Sequence, residues 1–415
     1  MGRCTGGKRG FLWRKVVSLC LVSGVCILPL KATDSIAVQQ HPAVRASVLS
    51  YEAALARIPQ AGAWQDPTVE IGVYPQFGRL PEVRLMQMLP LFGLRQAERT
   101  EAEHMASVAA SRYQETAGGV ILSLRRQWEL LLRLNQEKSI RESDRRLLST
   151  LQARARAALV TGEKLTDVLR LHLEIEEADS YLANLSDRME TEIRRYNLFL
   201  ARPPETAVVL PDSLGLQALP MEESEAILHL RLHHPVLSMQ SGEAAALEAR
   251  REQERRKGYP MVGLGLEYRL AAMPASGARM NPEAMLMPML SLSLPLYRSK
   301  YKAAARESRL LKEEALQRRQ ASENELIAEL SRLYGDYRQS LRQSELLRVQ
   351  AEILGATFDL LLEKLSTGSA SLDELVGLRR LLLDNRLQSI EAVAEANLAL
   401  VQIRKLTEPP LQVSH

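Results

Sequence analysis

Few side chains in this 415-residue chain combine the types and the spacing that chemistry requires. His229 and His233 stand four residues apart, which would put both imidazoles on one face of a helix, and His234 follows at once. Imidazoles placed in this way can ligate a transition metal. A proline follows His234, as one follows His41 near the start of the chain. A place in a repeated helix start is therefore the favoured interpretation, and no metal site is predicted.

Methionines form a second group. Met280, Met285, Met287 and Met289 lie in one short stretch, and thioethers are ligands for soft metals. The last three alternate along a stretch with the periodicity of a strand, so they share one face. Packing or the lining of a lumen is the favoured role for these flexible side chains.

Catalytic motifs are missing from the sequence. It contains no HExxH, no nucleophile elbow around a serine and no pair of carboxylates in a plausible cleft. Gly6-Gly7-Lys8 lacks the spacing of a P-loop. The sequence therefore predicts no catalytic residue, no cofactor and no enzyme activity. The small net charge of +4 is spread along the chain and gives nucleic-acid binding no support.

Two aspartates occur in a phrase that the chain uses twice. Asp167 lies in ALVTGEKLTDVL and Asp373 lies in EKLSTGSASLDEL. The two aspartates are 206 residues apart, and so are the glycines that precede them, Gly162 and Gly368. Glycine adopts the left-handed backbone that ends a helix, and a carboxylate in the first turn of the next helix contributes about 0.3–1 kcal/mol. Each phrase therefore predicts a turn between two helices.

This phrase belongs to an internal duplication. His-Pro at 41–42 recurs at 234–235, an offset of 193 residues, and Leu-Pro-Leu-Phe at 89–92 matches Leu-Pro-Leu-Tyr at 294–297, an offset of 205. The second copy has gained residues in the turn-rich stretch 271–282. The predicted organisation is a signal peptide at 1–32, a first repeat at 33–205, a linker at 206–220, a second repeat at 221–408 and a tail at 409–415.

Each repeat shows the same order of elements. Helical periodicity covers about 34–64 and 222–258, then about 94–158 and 299–366, and finally about 165–200 and 371–406. At 1.5 Å per residue the middle helices would be ~95–100 Å long and the returning helices ~55 Å. Between the first and middle helices apolar residues alternate with small or polar ones. Each repeat therefore predicts one hairpin of two ~10-residue strands, the length of a tilted membrane β-strand.

The predicted fold class is mainly α with a small β part. Four strands with one apolar face cannot remain open in a bilayer, because hydrocarbon offers no hydrogen-bond partner to a sheet edge. Two chains would give eight strands and a filled interior, whereas three would give 12 strands and a lumen wide enough for water. The small and polar alternate face, which includes Gly263, Gly265 and Ser291, favours a trimer with a 12-stranded transmembrane β-barrel.

A leader precedes the first repeat. Basic residues stand before an apolar run at 16–30, which is typical of a secretory signal and short for a membrane-spanning helix; an uncleaved anchor is the alternative. Cys4, Cys20 and Cys26 all lie here, so the mature chain would have no disulfide. Cleavage after Ala32 and lipidation of Cys26 both remain open.

The duplicated order of helix, hairpin, long helix, glycine-containing turn and returning helix resembles the TolC-type outer-membrane efflux channels. The resemblance extends over the mature chain, and the paired Thr-Gly phrases are its most specific part. It implies a homotrimer in outer-membrane lipid of a Gram-negative bacterium, with a large periplasmic tunnel. It also implies two partners, a periplasmic adaptor (membrane fusion) protein and an inner-membrane pump of the resistance-nodulation-division type.

The same resemblance assigns roles to the two turns. The residues that would contact the adaptor at the periplasmic tips are Leu159, Val160, Thr161, Gly162, Leu365, Ser366, Thr367 and Gly368. Asp167 and Asp373 would form an acidic ring that gates the tunnel, while capping of a helix start is their alternative role. The places one turn later, where the family can carry another acid, hold Arg170 and Val376.

A second class of protein is compatible with the long helices. A soluble periplasmic coiled-coil adaptor or scaffold would use similar helices, but it would surround its strands with further soluble β-domain sequence. The sequence instead shows one hairpin of membrane length in each half. It does not identify the exported substrate or the pump.

Overall fold

The computed structural model describes residues 30–74, 80–158, 165–211, 214–273, 281–366, 369 and 371–408. The chain forms two compact units. A helical unit comprises residues within 1–45, 116–234 and 325–415, and a second unit, which contains the sheet, comprises residues within 46–115 and 235–324.

The described residues form eight helices and four strands, which follow the predicted order in each repeat. Their bounds are α1 Leu30–Gln40, α2 Pro42–Ala61, β1 Thr68–Tyr74, β2 Leu80–Leu89, α3 Leu94–Ala158, α4 Leu165–Phe199, α5 Glu223–His233, α6 Pro235–Lys257, β3 Met261–Met273, β4 Asn281–Ser293, α7 Arg298–Ser366 and α8 Leu372–Thr407. None of these helices is both long and apolar enough to cross a membrane.

The first helix of each repeat is interrupted where the sequence predicted continuity. His41 separates α1 from α2, and His234 separates α5 from α6. The following prolines cause the break, because proline has no N–H to donate and disfavours the helical conformation in the residue before it. His234 accordingly has extended backbone, with φ −68° and ψ 126°.

One antiparallel sheet contains both hairpins in the order β1-β2-β3-β4. Leu85 pairs with Val69 on one side and Leu266 on the other, which fixes the register of β2. β3 and β4 have 13 residues each, so they are longer than predicted. Within the turn-rich stretch 271–282, residues 271–273 and 281–282 continue the ladder; residues 274–280 lie outside the described residues.

The helical unit has a core where the long and returning helices meet. Side chains from α3, α4, α7 and α8 are buried together in it: Leu148, Leu151, Ala155, Val168, Leu171, Ile175, Phe358, Leu375 and Val376. Apolar side chains of four different helices thus share one cluster, which is the arrangement of a helical bundle.

The predicted linker is held against the helices. The hydroxyl of Tyr337 donates to the carbonyl of Gln217 at 2.8 Å, and that of Tyr334 donates to the carbonyl of Met221, the residue that follows the linker, at 3.0 Å. The N–H of Gln217 in turn donates to Asn397 Oδ1 at 3.1 Å. These bonds satisfy backbone groups of an irregular segment that runs across α7 and α8.

Candidate functional site

The sheet has two chemically different faces. Successive side chains of a strand point to opposite sides, and partners across the ladder share a side. One face is apolar and exposed, with Ile71 74% and Leu290 73% accessible. Its other exposed members are Val69, Val83, Leu85, Leu264, Leu266, Tyr268, Leu286 and Leu292. A monomeric soluble protein rarely exposes a continuous apolar surface of this kind.

The opposite face carries a ladder of charges. Arg84 lies at its centre, 3.0 Å from Glu70, 3.1 Å from Glu82 and 3.3 Å from Glu267. Arg269 Nη2 lies 2.6 Å from Glu267 and 3.5 Å from Glu82. Glu82 and Glu267 are almost fully buried. Carboxylates buried to this extent require paired cations. The two arginines supply them, so this face of the sheet is charged but its buried carboxylates are all paired.

Methionines and glycines lie beside the charges on the same face. Met86 is opposite Gly265, which is opposite Met289 in the next strand. One row further, Met88 is opposite Gly263. The glycines leave space that the thioethers fill, because a Cβ on Gly263 would stand 2.7 Å from Met88 Sδ.

Four exposed aromatic residues occur at one end of the sheet, where the strands join the helices. Trp64 precedes β1, Phe92 follows β2, Tyr259 precedes β3 and Tyr297 follows β4, and in an antiparallel sheet these ends are adjacent. These four residues are the aromatic collar. The rings of Phe92 and Tyr259 are 5.4 Å apart.

Basic residues support the collar. The guanidinium carbon of Arg95 lies 4.0 Å over the ring of Trp64, a cation–π contact. Phe92 and Gly93 both have left-handed backbone, with φ 62° and 73°. Arg256 Nη1 donates to the carbonyl of Gly93 at 2.6 Å and so holds this turn between β2 and α3.

Most of the predicted adaptor-contact residues lie outside the described residues. These are Leu159, Val160, Thr161, Gly162, Thr367 and Gly368. Ser366 is the last residue of α7, and Leu365 packs partly buried against the core cluster of the helical unit. The carbonyl of Lys364 accepts a bond from the N–H of Ser369 at 2.9 Å, as expected where a helix ends.

The two predicted gate aspartates have different surroundings. Asp167 is half-buried in the first turn of α4. Asp373 is exposed in the first turn of α8, where Arg170 of α4 pairs with it. The start of α8 is capped by Ser371, whose hydroxyl accepts from the N–H of Glu374 at 3.2 Å. Arg170, which replaces the second acid of the family pattern, thus has a carboxylate partner in the opposite repeat.

A buried charge cluster lies further along the returning helices, and sequence analysis missed it. Arg379 of α8 makes a bidentate pair with Asp144 of α3, at 2.7 and 2.8 Å, and donates to Glu174 of α4 at 2.8 Å. Arg380 pairs with the other oxygen of Glu174. Burial raises the pKa of Glu174, but the bonds from Arg380 and Arg379 outweigh it and hold that pKa below its ordinary value.

Another buried carboxylate has the opposite electrostatic balance. Glu129 of α3 accepts only neutral donors, Gln217 Nε2 and Asn397 Nδ2, each at 3.2 Å. Burial raises the pKa of Glu129, and these two hydrogen bonds, together with the charge of Arg404, oppose the rise only in part. The side chain therefore holds the linker between α3 and α8 at some electrostatic cost.

His229 and His233 lie close together on α5. The rings of His229 and His233 are 5.7 Å apart, and His233 Nδ1 lies 3.3 Å from the carbonyl of His229. Over the part of the chain that the structure describes, no three histidine, cysteine, aspartate or glutamate side chains are grouped to hold a metal.

Comparison with known proteins places this architecture. The sequence model of the family "Outer membrane efflux protein" matches residues 227–407. No curated protein sequence matches the chain. A membrane protein from Pseudomonas aeruginosa has a similar structure, with TM-score 0.76 and 13% identity over 91% of this chain and 93% of that one.

Two further solved structures agree. The outer membrane protein VceC from Vibrio cholerae has TM-score 0.74 and 13% identity over 92% of this chain and 96% of that one. The MtrE outer membrane channel of Neisseria gonorrhoeae has TM-score 0.73 and 15% identity over 92% and 89%. The predicted resemblance is therefore confirmed: the second half carries the sequence pattern of outer membrane efflux proteins, and the chain has the fold of TolC-type channels.

Proposed function

We propose that this protein is the outer-membrane channel of a tripartite efflux or export system in a Gram-negative bacterium. It is a passive conduit from the periplasm to the outside and performs no chemistry of its own. The observation that carries the proposal is the sheet, whose exposed apolar face suits lipid and whose other face is charged and small. This alternation is that of a transmembrane barrel wall.

Closure of the sheet requires other copies of the chain. β1 and β4 each have one neighbour, so both edges of the described sheet present unpaired backbone groups. Hydrocarbon cannot satisfy these groups, and pairing of β4 with β1 of the next copy does so. Three copies give 12 strands, which enclose a water-filled lumen lined by the charge ladder.

The helices give independent support for a ring. On α8, Leu375 and Arg379 are buried against the first repeat. The residues 206 positions earlier on α4 are Leu169 and Leu173, which are 55% and 65% exposed. In a head-to-tail ring, the second repeat of one copy would cover the face of α4 that carries Leu169 and Leu173 in the next copy. A closed ring would cover this face in every copy.

The aromatic collar supports placement in the outer membrane. Trp and Tyr concentrate at membrane–water interfaces, where their rings sit at headgroup level, and barrels carry aromatic girdles at these heights. The neighbouring Arg95 and Arg256 suit lipid phosphates. We infer that the collar marks the periplasmic boundary of the bilayer.

Trp64 allows a direct test of this placement. Replacing Trp13 and Trp128 by Phe leaves Trp64 as the single reporter, and the protein is then reconstituted into vesicles with brominated phosphatidylcholine. Bromines near the headgroup should quench Trp64 more strongly than bromines near the chain ends. A matched variant with Trp13 and Trp64 replaced retains only Trp128, in the helical unit, and should not be quenched. Equal absence of quenching in both variants would favour a soluble adaptor or scaffold and overturn the channel.

The helix tips are proposed to dock to a periplasmic adaptor, which connects the channel to an inner-membrane pump of the resistance-nodulation-division type. Replacing Gly162 and Gly368 by Leu should abolish efflux while trimers still assemble, because a bulky side chain prevents close backbone approach. The same change at Gly335, where an added Cβ meets nothing, is the control. Unchanged efflux in the double variant would remove the adaptor contact.

Asp167 and Asp373 are proposed to line the narrow end of the tunnel. In a trimer they supply six carboxylates, three of which are paired with Arg170. Unpaired carboxylates at a constriction favour cations. Currents through a reconstituted channel should show a reduced cation preference in Asp167→Asn, and an unchanged preference would exclude Asp167 from the gate.

A further inference from the structure

The polar face of the sheet contains a set of soft donors that the channel function does not use. Met86 Sδ lies 3.5 Å and Met88 Sδ 3.8 Å from Ser291 Oγ. Both sulfurs also lie close to the position of a Cβ on Gly263, at 3.2 and 2.7 Å, so they are less than about 6 Å apart. Two thioethers and a hydroxyl thus converge above a residue that has no side chain.

We propose that Met86, Met88 and Ser291 form a binding site for a soft monovalent metal cation of the Cu(I) or Ag(I) class. Thioether sulfur is a soft ligand that selects such ions. With the zinc–sulfur bond length of about 2.3 Å as a guide, an ion held linearly between two sulfurs would separate them by about 4.6 Å, which lies within the upper limit of about 6 Å. Methionine has three rotatable bonds, so the two sulfurs can adjust to the spacing that an ion requires.

Neighbouring residues strengthen the site. Met289 flanks Gly265 on the side opposite to Met86, which places a third thioether beside the pair. The ladder supplies three carboxylates, Glu70, Glu82 and Glu267, against two arginines, so this face has an excess of negative charge that attracts cations.

The charges also account for selectivity. Hard divalent cations need free carboxylate oxygens. Glu82 and Glu267 are both paired with Arg84 and Arg269, which compete for those oxygens. A thioether has no comparable competitor, since arginine does not bind neutral sulfur strongly. The site therefore favours soft over hard ions.

Packing alone is the competing explanation of these methionines. It accounts for filled space over Gly263 and Gly265, but it requires no sulfur, because leucine has a similar volume. Leucine substitution therefore separates the two explanations: it keeps the packing and removes the donors. The location of this site in a channel lumen rests on the proposed function, whereas the donor set does not.

The test is silver binding to the full-length chain in detergent, with Cys4, Cys20 and Cys26 replaced by Ser to remove thiols. Silver nitrate alone is the probe, in chloride-free buffer, and bound silver is measured after equilibrium dialysis. We expect saturable binding of one ion per chain and at least a tenfold loss of affinity in the double variant Met86→Leu, Met88→Leu. Ser291→Ala should cause a smaller loss, because both sulfurs remain.

Matched controls separate this site from others. Met105→Leu removes an exposed thioether outside the sheet, on helix α3. The double variant His229→Gln, His233→Gln removes the imidazole pair. Both variants should bind silver with unchanged affinity. Circular dichroism confirms that the leucine variants fold. Undiminished binding by the folded double variant, or displacement of silver by equimolar zinc, would overturn the proposal. Since no membrane is needed, this result is independent of Trp64 quenching.

Discussion

The two returning helices begin with related sequence but have different surroundings. At positions 206 residues apart, exposed Leu169 of α4 corresponds to fully buried Leu375 of α8, and exposed Leu173 corresponds to Arg379. Glu174 and Arg380 are also equivalent by position, yet they have opposite charge and pair with each other.

This difference shows that equivalent faces of the two repeats are covered to different extents within one chain. Within one chain, α8 of the second repeat packs against the first repeat. The buried face of α8 is therefore covered without a second copy of the chain. The matching face of α4 has no such neighbour among the described residues. The two repeats have therefore diverged at equivalent positions, and in the proposed ring a second copy of the chain would cover the exposed leucines of α4.

Removing Arg379 should produce the largest effect. Arg379→Leu converts this position to the residue of the first repeat, leaves Asp144 without its arginine and leaves Glu174 with Arg380 alone. The loss of one member of a buried pair costs about 3–5 kcal/mol. Denaturant unfolding followed by circular dichroism measures it. Leu173→Ala is the matched control, for which we expect a change within about 0.5 kcal/mol; equal effects would refute the asymmetry.

The equivalent leucines should separate folding from assembly. Leu375→Ala opens a cavity in the core cluster and should lower the free energy of unfolding by about 2–5 kcal/mol. Leu169→Ala should leave the unfolding of the single chain almost unchanged but weaken the trimer. Analytical ultracentrifugation in detergent measures assembly. A trimer unaffected by Leu169→Ala combined with Leu173→Ala would contradict the proposed ring.

The pH dependence of stability should differ in sign between the two buried carboxylates. The pKa of Glu174 is lowered by folding, so its contribution is present above its unfolded pKa, about 4.3, and is lost as the pH falls through the folded value. The pKa of Glu129 is raised, so its contribution is lost as the pH rises above about 4.3. Glu174→Gln should flatten the acid side of the stability profile.

Glu129→Gln should instead raise stability near neutral pH, because the amide carries no charge. Its oxygen can still accept from Asn397 Nδ2, and its NH2 can donate to the side-chain oxygen of Gln217 after that amide rotates by 180°. Thermal unfolding at several pH values measures both variants. Parallel profiles for the two substitutions would show that the buried environments do not differ as the structure indicates.

The exposed pair between the repeats should contribute least. Arg170–Asp373 is solvent-accessible on both sides, and such pairs contribute about 0–1 kcal/mol, less at high salt. Arg170→Ala and Asp373→Asn should each change the unfolding free energy by no more than this amount, with no additive effect in the double variant. A larger loss, insensitive to salt, would place this pair with the buried cluster.

The sequence predicted the order of the elements and most of their bounds. Periodicity located α3 within a residue of its ends, because 65 residues of helical pattern leave little ambiguity. It missed the interruptions at His41 and His234, although the prolines that follow them were the available signal. The thioether pair was also missed, because Met86 and Met88 lie in the first repeat and meet Gly265 and Gly263 of the second repeat only through the sheet.

The adaptor-contact residues and the gate remain predictions. The phrase around Gly162 predicts a turn, but a turn does not specify a partner. Exposure of Asp373 and its pairing with Arg170 follow from how α4 and α8 pack, which no local pattern contains. The buried cluster at Arg379 has the same origin, since Arg379 is 235 residues from Asp144 and 205 residues from Glu174 in the chain.

The sequence by itself determined the duplication, the helices, the strands and the alternation of their faces, because each depends on residues close together in the chain. Only the tertiary structure decided which equivalent positions are buried and which are exposed, how Glu174 and Arg380 meet, and that thioethers from β2 converge on Ser291 of β4. Those contacts join residues distant in sequence, and their energies depend on burial and geometry that no periodic pattern records.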